Sequence, residues 1–472
     1  MSNDKIINIS RKTFVSVILI LSTLILFAIG LTYIIPNGAF KEVVDANGNV
    51  IFDYSQYYEI DDVKGIPIWK GLLSPILVLF SGDGLSLIML SIFICVIAGS
   101  FQIMSDTNGM KYIVQKLISK FKYNKNILIA LITLIFMIFG SFFGLFEEVL
   151  TLLPIIIILS LSLGYDSYLG FIMCVVATGF GFASAITNPF TVLTASNIIG
   201  VSPMTNIWYR IIIFMVMYGV LLIYIFRHIK KLKLNPEKSP TYSVDIEKKN
   251  GLVFDENIDN RKCLIYSVFL ITVFLSIIIL TSIESLRGYT IVFLIVIFLI
   301  GGIIAGLLCE PDKKKVFKSF LKGFLSGLPA VVLILLASSI KYILEEGMVI
   351  ATVANSISNL VAGKNTFVVI LLLFLIILVL EFFISSSTAK AVFVMGILGC
   401  ISINVSKELM VLAYLFGDGY TNVLFPTSPV LLIGLSMTGM NYTTWLKKSK
   451  FLFLITFVLV IAFLLLAIVI KY

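Results

Sequence analysis

Apolar residues in this chain gather in long runs, with the polar residues confined to short gaps between them. A spanning helix needs about 20 mostly apolar residues. Runs of that kind cover 13–35, 85–104, 127–143, 207–226, 263–282, 289–309, 366–380 and 451–470. The stretches 144–200 and 384–440 are as apolar, but Gly, Pro, Ser, Thr, Asn and acids interrupt them. They predict broken or re-entrant helices rather than clean spans. Lys5, Arg11 and Lys12 precede the first run, which is too long for the apolar part of a signal peptide and reads as a retained helix. The pattern predicts an all-α polytopic membrane protein.

Composition agrees with the pattern. Of 472 residues, 59% are hydrophobic and only 13% charged, against about 25% charged in an ordinary soluble domain. The single His228 leaves no material for a His-based metal cluster or a Ser-His-Asp triad, and the five cysteines show no CxxC spacing. The chain therefore reads as a non-enzyme without metal or cofactor. The net charge of +9 does not signal nucleic acid, because the Lys and Arg residues collect in short loops between apolar runs. That is the positive-inside pattern of a protein in the cell (plasma or inner) membrane.

Charge also predicts orientation. Segment 36–70 carries six acids against three Lys and the turn signal Asn47-Gly48, so it is expected outside. Segment 227–262 carries nine Lys and Arg against six acids and is expected inside, like the N-terminus and 310–322. This gives a first membrane repeat over 1–226, a cytoplasmic linker over 227–262 and a second membrane repeat over 263–472.

Sliding the chain on itself by 240 residues sets Phe142-Phe143 on Phe382-Phe383, Gly179 on Gly419, and Thr187-Asn188-Pro189 on Thr427-Ser428-Pro429. Upstream, Asn108-Gly109-Met110 falls on Glu346-Gly347-Met348. The loop 105–126 holds five Lys and one Asp, whereas its counterpart 341–365 holds two Lys and two Glu. Equivalent loops are thus expected on opposite sides, giving two inverted-topology repeats, each with a re-entrant hairpin and a broken helix. Such repeats place a binding site near the midplane, where the helices break.

The candidate site follows from the polar residues at that depth. Gly144-Leu-Phe-Glu147-Glu148 and Ser385-Ser386-Ser387-Thr388 form the two expected hairpin tips. Thr187 and Asn188 in one half, and Asp418, Thr421, Asn422, Thr427 and Ser428 in the other, accompany the second pair of interruptions. Pro frees a helix carbonyl there. Glu381 and Lys390 are candidates for coupling or charge balance. Insertion scales charge about 2.5–3.5 kcal/mol for an ionised side chain at helix centre, so Glu147, Glu148, Glu381 and Asp418 are expected to face a cavity or to be paired. Against Lys390 alone they leave an excess of three negative charges. That surplus suits a cationic substrate, or protons or sodium as coupling ions.

The stretch from Gly140 to Pro189, with Glu147-Glu148 and Thr187-Asn188-Pro189, resembles the YfcC branch of the C4-dicarboxylate anaerobic carrier (DcuC-like) family. Gly417-Asp418-Gly419 with Pro426-Thr427-Ser428-Pro429 looks like the second-half counterpart. The resemblance implies a secondary transporter with paired inverted repeats and re-entrant hairpins, working as a homodimer by an elevator mechanism. For this branch it implies exchange of basic amino acids of the arginine and ornithine type, while the broader family name points to a proton- or sodium-coupled dicarboxylate carrier. In the first reading Glu147, Glu148 and Asp418 attract the substrate's cationic groups. In the second, Lys390 and the hairpin tips bind an anion. The expected partners are a small-molecule substrate, a coupling ion and the lipid bilayer.

Overall fold

The computed structural model describes residues 11–44, 50–60, 65–120, 124–250, 259–287, 289–361, 363–384, 386–400 and 405–472. Among them, eight helices are long and apolar enough to cross a membrane. The first helix, α1 (Arg11–Ile34), leads into a hairpin of β1 (Gly38–Val44) and β2 (Val50–Glu59). This hairpin departs from the purely helical reading. Its antiparallel register runs from Gly38 opposite Glu59 to Val44 opposite Val50. The expected Asn47-Gly48 turn lies outside the described residues.

Next come α2 (Gly84–Asp106), the shorter α3 (Gly109–Lys120) and α4 (Lys125–Phe143). The chain then breaks and continues as α5 (Leu153–Ser162), α6 (Ser167–Ala183), α7 (Pro189–Ile199) and the long α8 (Ile207–Leu234). A small helix, α9 (Tyr242–Asn250), lies within the connecting segment, and α10 (Asn260–Ser282) and α11 (Thr290–Cys309) follow. The order then recurs. A long helix α12 (Lys313–Glu346) is followed by the shorter α13 (Ile350–Val361), the apolar α14 (Thr366–Phe383) and a break. After it come α15 (Ser387–Cys400), α16 (Lys407–Tyr420), a second break, α17 (Pro429–Thr438) and the long α18 (Tyr442–Val469).

Helix α12 is a span that the apolar runs do not predict: Lys313, Lys314, Lys315, Lys318 and Lys322 form the first turns of a single 34-residue helix that continues through Pro329. Asp312 caps it, accepting from Lys314 N at 2.9 Å.

The broken helices lie inside, and of the continuous ones α10 and α11 are the most exposed. Every residue of α6 and of α16 from Leu409 to Tyr420 is buried. Helix α10 instead exposes Leu264, Val268, Ile271, Leu275 and Ile279, one every three or four residues. Such a stripe faces lipid in a membrane protein. This layering follows from backbone chemistry, because non-helical backbone at membrane depth must be buried in protein or line a wet cavity.

The two inner layers meet where α6 crosses the end of α16. A Cβ placed on Gly419 would stand 2.5 Å from the Ala183 backbone, so only glycine permits this approach. Gly419→Val is expected to force the two helices apart and cost about 1–3 kcal/mol. The readout is thermal unfolding of the purified protein, and an unchanged unfolding temperature would show that the crossing is not tightly packed.

The connecting segment is tied to both inner layers. Asp166 caps α6 through Leu169 N (2.9 Å) and also accepts from Ser239 Oγ (2.8 Å), with His228 Nε2 2.9 Å away. Burial would raise this carboxyl, but the bonds to His228 and Ser239 outweigh it and hold it below the usual carboxylate range. Asp245 on α9 accepts from Ser167 N at 3.0 Å and Thr241 Oγ1 at 2.6 Å. Lys248 donates to Met437 O at the end of α17, at 2.9 Å. Its burial brings the ammonium down to about 8.

Candidate functional site

In the first half, α4 ends in a widened π turn and stops at Gly144, whose φ is +68°. Glycine adopts that left-handed conformation at no steric cost. A short 3-10 turn over Glu148–Thr151 then hands the chain to α5. The second break, 184–188, is fastened to the first. Ser141 Oγ donates to Ser184 O (2.8 Å), Ile186 N to Ser141 O (3.0 Å) and Asn188 Nδ2 to Gly140 O (3.0 Å). The half-buried Thr187 donates to Phe142 O at 3.3 Å. Asn188 also caps α7, accepting from Phe190 N at 2.9 Å. Its side chain is thereby committed to holding two broken backbones together.

Glu147 and Glu148 sit on this cradle. Glu148 is buried, and its Oε2 has no hydrogen-bond partner. Among the described residues, neither Glu147 nor Glu148 forms an ion pair. The nearby Thr151 and Thr191 hydroxyls are likewise buried without a partner. Buried polar groups in folded proteins are nearly always bonded, so Glu148 and Thr151 after the first break and Thr191 after the second, all buried with an unpartnered oxygen, mark places made to meet something polar. Glu148 also lines a void of about 10 Å³ against Phe274 and Ile277 of α10, room for about one water.

The second half gathers its charges differently. Helix α14 ends at Phe383 and α15 begins at Ser387. Lys390, entirely buried, donates to the freed Ile384 O at 3.0 Å. Its ammonium pairs with Asp418 Oδ1 at 2.8 Å and with Glu381. Asp418 further accepts from Ser387 Oγ at 2.8 Å, and the Tyr414 hydroxyl bonds Ser387 O and stands 3.3 Å from Asp418 Oδ1. A cation shared by two carboxylates leaves this cluster with one excess negative charge.

The break after α16 is braced from α18. Trp445 Nε1 donates to Val423 O and the Tyr442 hydroxyl to Leu424 O, both at 2.9 Å. These bonds satisfy carbonyls that the helix leaves free. Ser428 caps α17 through Leu431 N at 3.4 Å. The Thr421 and Thr427 hydroxyls are buried and unpartnered, and Asn422 is buried beside them.

The expected residues thus fall into two groups. Glu147, Glu148, Thr187 and Asn188 surround the first-half breaks, while Glu381, Ser387, Lys390 and Asp418 form one ionic cluster with Thr421, Asn422, Thr427 and Ser428 on the neighbouring break. Ser386 and Thr388 are exposed, and Ser385 lies outside the described residues. Sequence reasoning missed Ser141, Ser184 and Tyr414. Tyr414 stands four residues before Asp418 on one helix face, a spacing that brings side chains together. Ser141 and Ser184 carry no comparable signal.

The family model for the C4-dicarboxylate anaerobic carrier matches residues 14–469. A relative in Escherichia coli (strain K12), named "Putative basic amino acid antiporter YfcC", is 26% identical over 398 residues, covering 80% of this chain and 76% of its own. An uncharacterized protein of Haemophilus influenzae (strain ATCC 51907 / DSM 11121 / KW20 / Rd) is 26% identical over 487 residues, covering 93% and 94% respectively. Among solved structures, the Alcanivorax borkumensis YdaH transporter aligns with a TM-score of 0.46 at 14% identity, over 96% of this chain and 98% of that one. With a match over nearly its whole length, this multi-pass membrane protein belongs to the C4-dicarboxylate anaerobic carrier family of transporters.

Proposed function

We propose that the protein is a secondary transporter exchanging one basic amino acid for another across the cell membrane. One contrast carries the reading. The buried cation, Lys390, is already neutralised by Asp418 and Glu381, whereas the Glu147–Glu148 pair has no cation of its own. A dicarboxylate would have to draw Lys390 away from two carboxylates and approach two more. A guanidinium or ammonium group instead meets two carboxylates without a counter-charge, and charge-assisted bonds of that kind are the strong ones. Glu147 and Glu148 hold the side-chain cation, with the Thr151 hydroxyl at the same break and Thr191 at the start of α7. Thr421, Asn422, Thr427 and Ser428 take the α-carboxylate. Ser387 and Asp418 transmit occupancy to the Lys390 cluster, where a proton could be exchanged.

The recurring order of long helix, short helix, apolar helix, break, paired inner helices, second break and long helix supports two repeats. The charge asymmetry of their loops supports inversion, and the family resemblance implies an elevator movement in a homodimer. In this orientation the N-terminus and the connecting segment are inside and the hairpin outside. Single cysteines at Glu59 and Lys238, both exposed, report this in a cysteine-free background. An impermeant thiol reagent on intact cells is expected to label position 59 alone, and labelling of 238 alone reverses the assignment.

The substrate class is tested by calorimetry on the purified protein with arginine, ornithine and succinate. Saturable binding of arginine or ornithine without succinate binding supports the proposal. Binding of succinate alone overturns it in favour of a dicarboxylate carrier.

A further inference from the structure

We propose that the groove between α8 and α18, at the basic end of the molecule, is a binding site for the headgroup of an acidic phospholipid. The groove encloses about 1090 Å³, whereas two cavities within the membrane part are water-sized, at about 10 Å³ each. Its two walls change chemistry together. On α8, Val220, Ile223, Arg227 and Lys231 recur at helical spacing along one stripe that lines the groove. On the opposing wall of α18 the order from apolar to basic is Ile455, Phe451, Lys448. Two neighbouring spans therefore offer an apolar channel that opens into a basic mouth at one level.

The mouth holds Arg227, Lys231, Lys238 and Lys448 against a single lining acid, Glu237. Among the described residues none of the four cations forms an ion pair with a carboxylate. His228 is turned to Asp166, and the Tyr168 and Tyr224 hydroxyls bond one another at 2.5 Å on the groove wall. The four unpaired cations thus face the groove with no protein anion to satisfy them. Below them Ile223, Phe451 and Ile455 are 54%, 64% and 46% exposed, an apolar wall that an acyl chain would cover. A ligand with an anionic head and a hydrocarbon tail complements both halves; a soluble anion complements only one. Basic pockets between spanning helices near a membrane surface suit such lipids, each Lys or Arg adding about fivefold to the attraction.

The test uses the full chain in nanodiscs of phosphatidylcholine doped with phosphatidylglycerol, with retained lipid counted by native mass spectrometry. The parent is expected to keep phosphatidylglycerol preferentially. The combined variant R227Q/K231Q/K238Q/K448Q should weaken that retention by about 600-fold. Ile223→Trp, which fills the apolar half and leaves every charge, should weaken it as well, so the test does not depend on one variant folding. K313Q/K314Q/K318Q, which removes exposed charge elsewhere, should behave as the parent. Three results overturn the proposal. The groove variants retain the lipid as the parent does; or soluble glycerophosphate displaces it as effectively as the intact lipid, which marks a free-phosphate site; or the variants change the oligomeric state instead, which marks an interface between copies of the chain.

Discussion

Lys390→Met is expected to destabilise the protein more than any other single substitution considered. The ammonium is fully buried and shared by Asp418 and Glu381, so its removal strands two carboxylates in a dry interior. Removing one partner of a buried ion pair costs about 3–5 kcal/mol, a large part of a typical stability of about 5–15 kcal/mol. The loss should be recovered stepwise. Lys390→Met/Asp418→Asn leaves one stranded carboxylate, and adding Glu381→Gln leaves none, because replacing a whole buried ionic cluster is often neutral. Thermal unfolding in detergent reads all three variants. A Lys390→Met protein as stable as the parent would mean that the cluster is wetted rather than buried.

The acid pair should respond in the opposite sense. Glu147→Gln and Glu148→Gln each remove a carboxylate that has no cationic partner among the described residues, so stability should hold or rise. Affinity for arginine or ornithine should fall by about 2–5 kcal/mol, the range for truncating one side of a buried charge contact, which is roughly thirty- to several-thousandfold. A gain in stability joined to a loss of binding is the signature of a site that holds strain for function. Calorimetry on folded variants measures the binding, and unfolding measures the stability. Parent-like affinity in both variants would remove Glu147 and Glu148 from the site. Their destabilisation would show a structural role instead.

Much of this arrangement was legible in the hydrophobic pattern. Long uninterrupted runs such as 207–226 and 263–282 correspond to α8 and α10, because twenty apolar residues in a row have few other uses. The breaks at Gly144 and at Thr187-Asn188-Pro189, and those near Ser386 and Pro426, were visible from Gly, Pro and clustered hydroxyls. Helix α12 was harder to read because its first turns carry five lysines and Pro329 stands inside it, although an 18-residue stretch of it has a mean hydropathy of 2.1. The hairpin of β1 and β2 was signalled only by Asn47-Gly48.

Within the site, the sequence showed which residues were expensive to bury but not who partners whom. Asp418 appeared equivalent to Glu147 and Glu148, and Lys390 appeared free to meet an anion. Their difference arises from tertiary geometry. Residues 381, 390 and 418 lie on three helices that meet only when folded, while Glu147 and Glu148 lie at a helix break where no Lys or Arg pairs with them among the described residues. The same holds for Ser141 and Ser184, whose bond joins two breaks more than forty residues apart.

Exchange of basic amino acids is tested most directly by counterflow. Purified protein is reconstituted in liposomes loaded with unlabelled ornithine, and uptake of labelled arginine is followed with succinate-loaded and empty liposomes in parallel. The account predicts rapid arginine uptake driven by internal ornithine, little uptake in the other two, and loss of uptake in Glu147→Gln and Glu148→Gln. Uptake of labelled succinate driven by internal succinate, with no arginine–ornithine exchange in the same preparation, would contradict it.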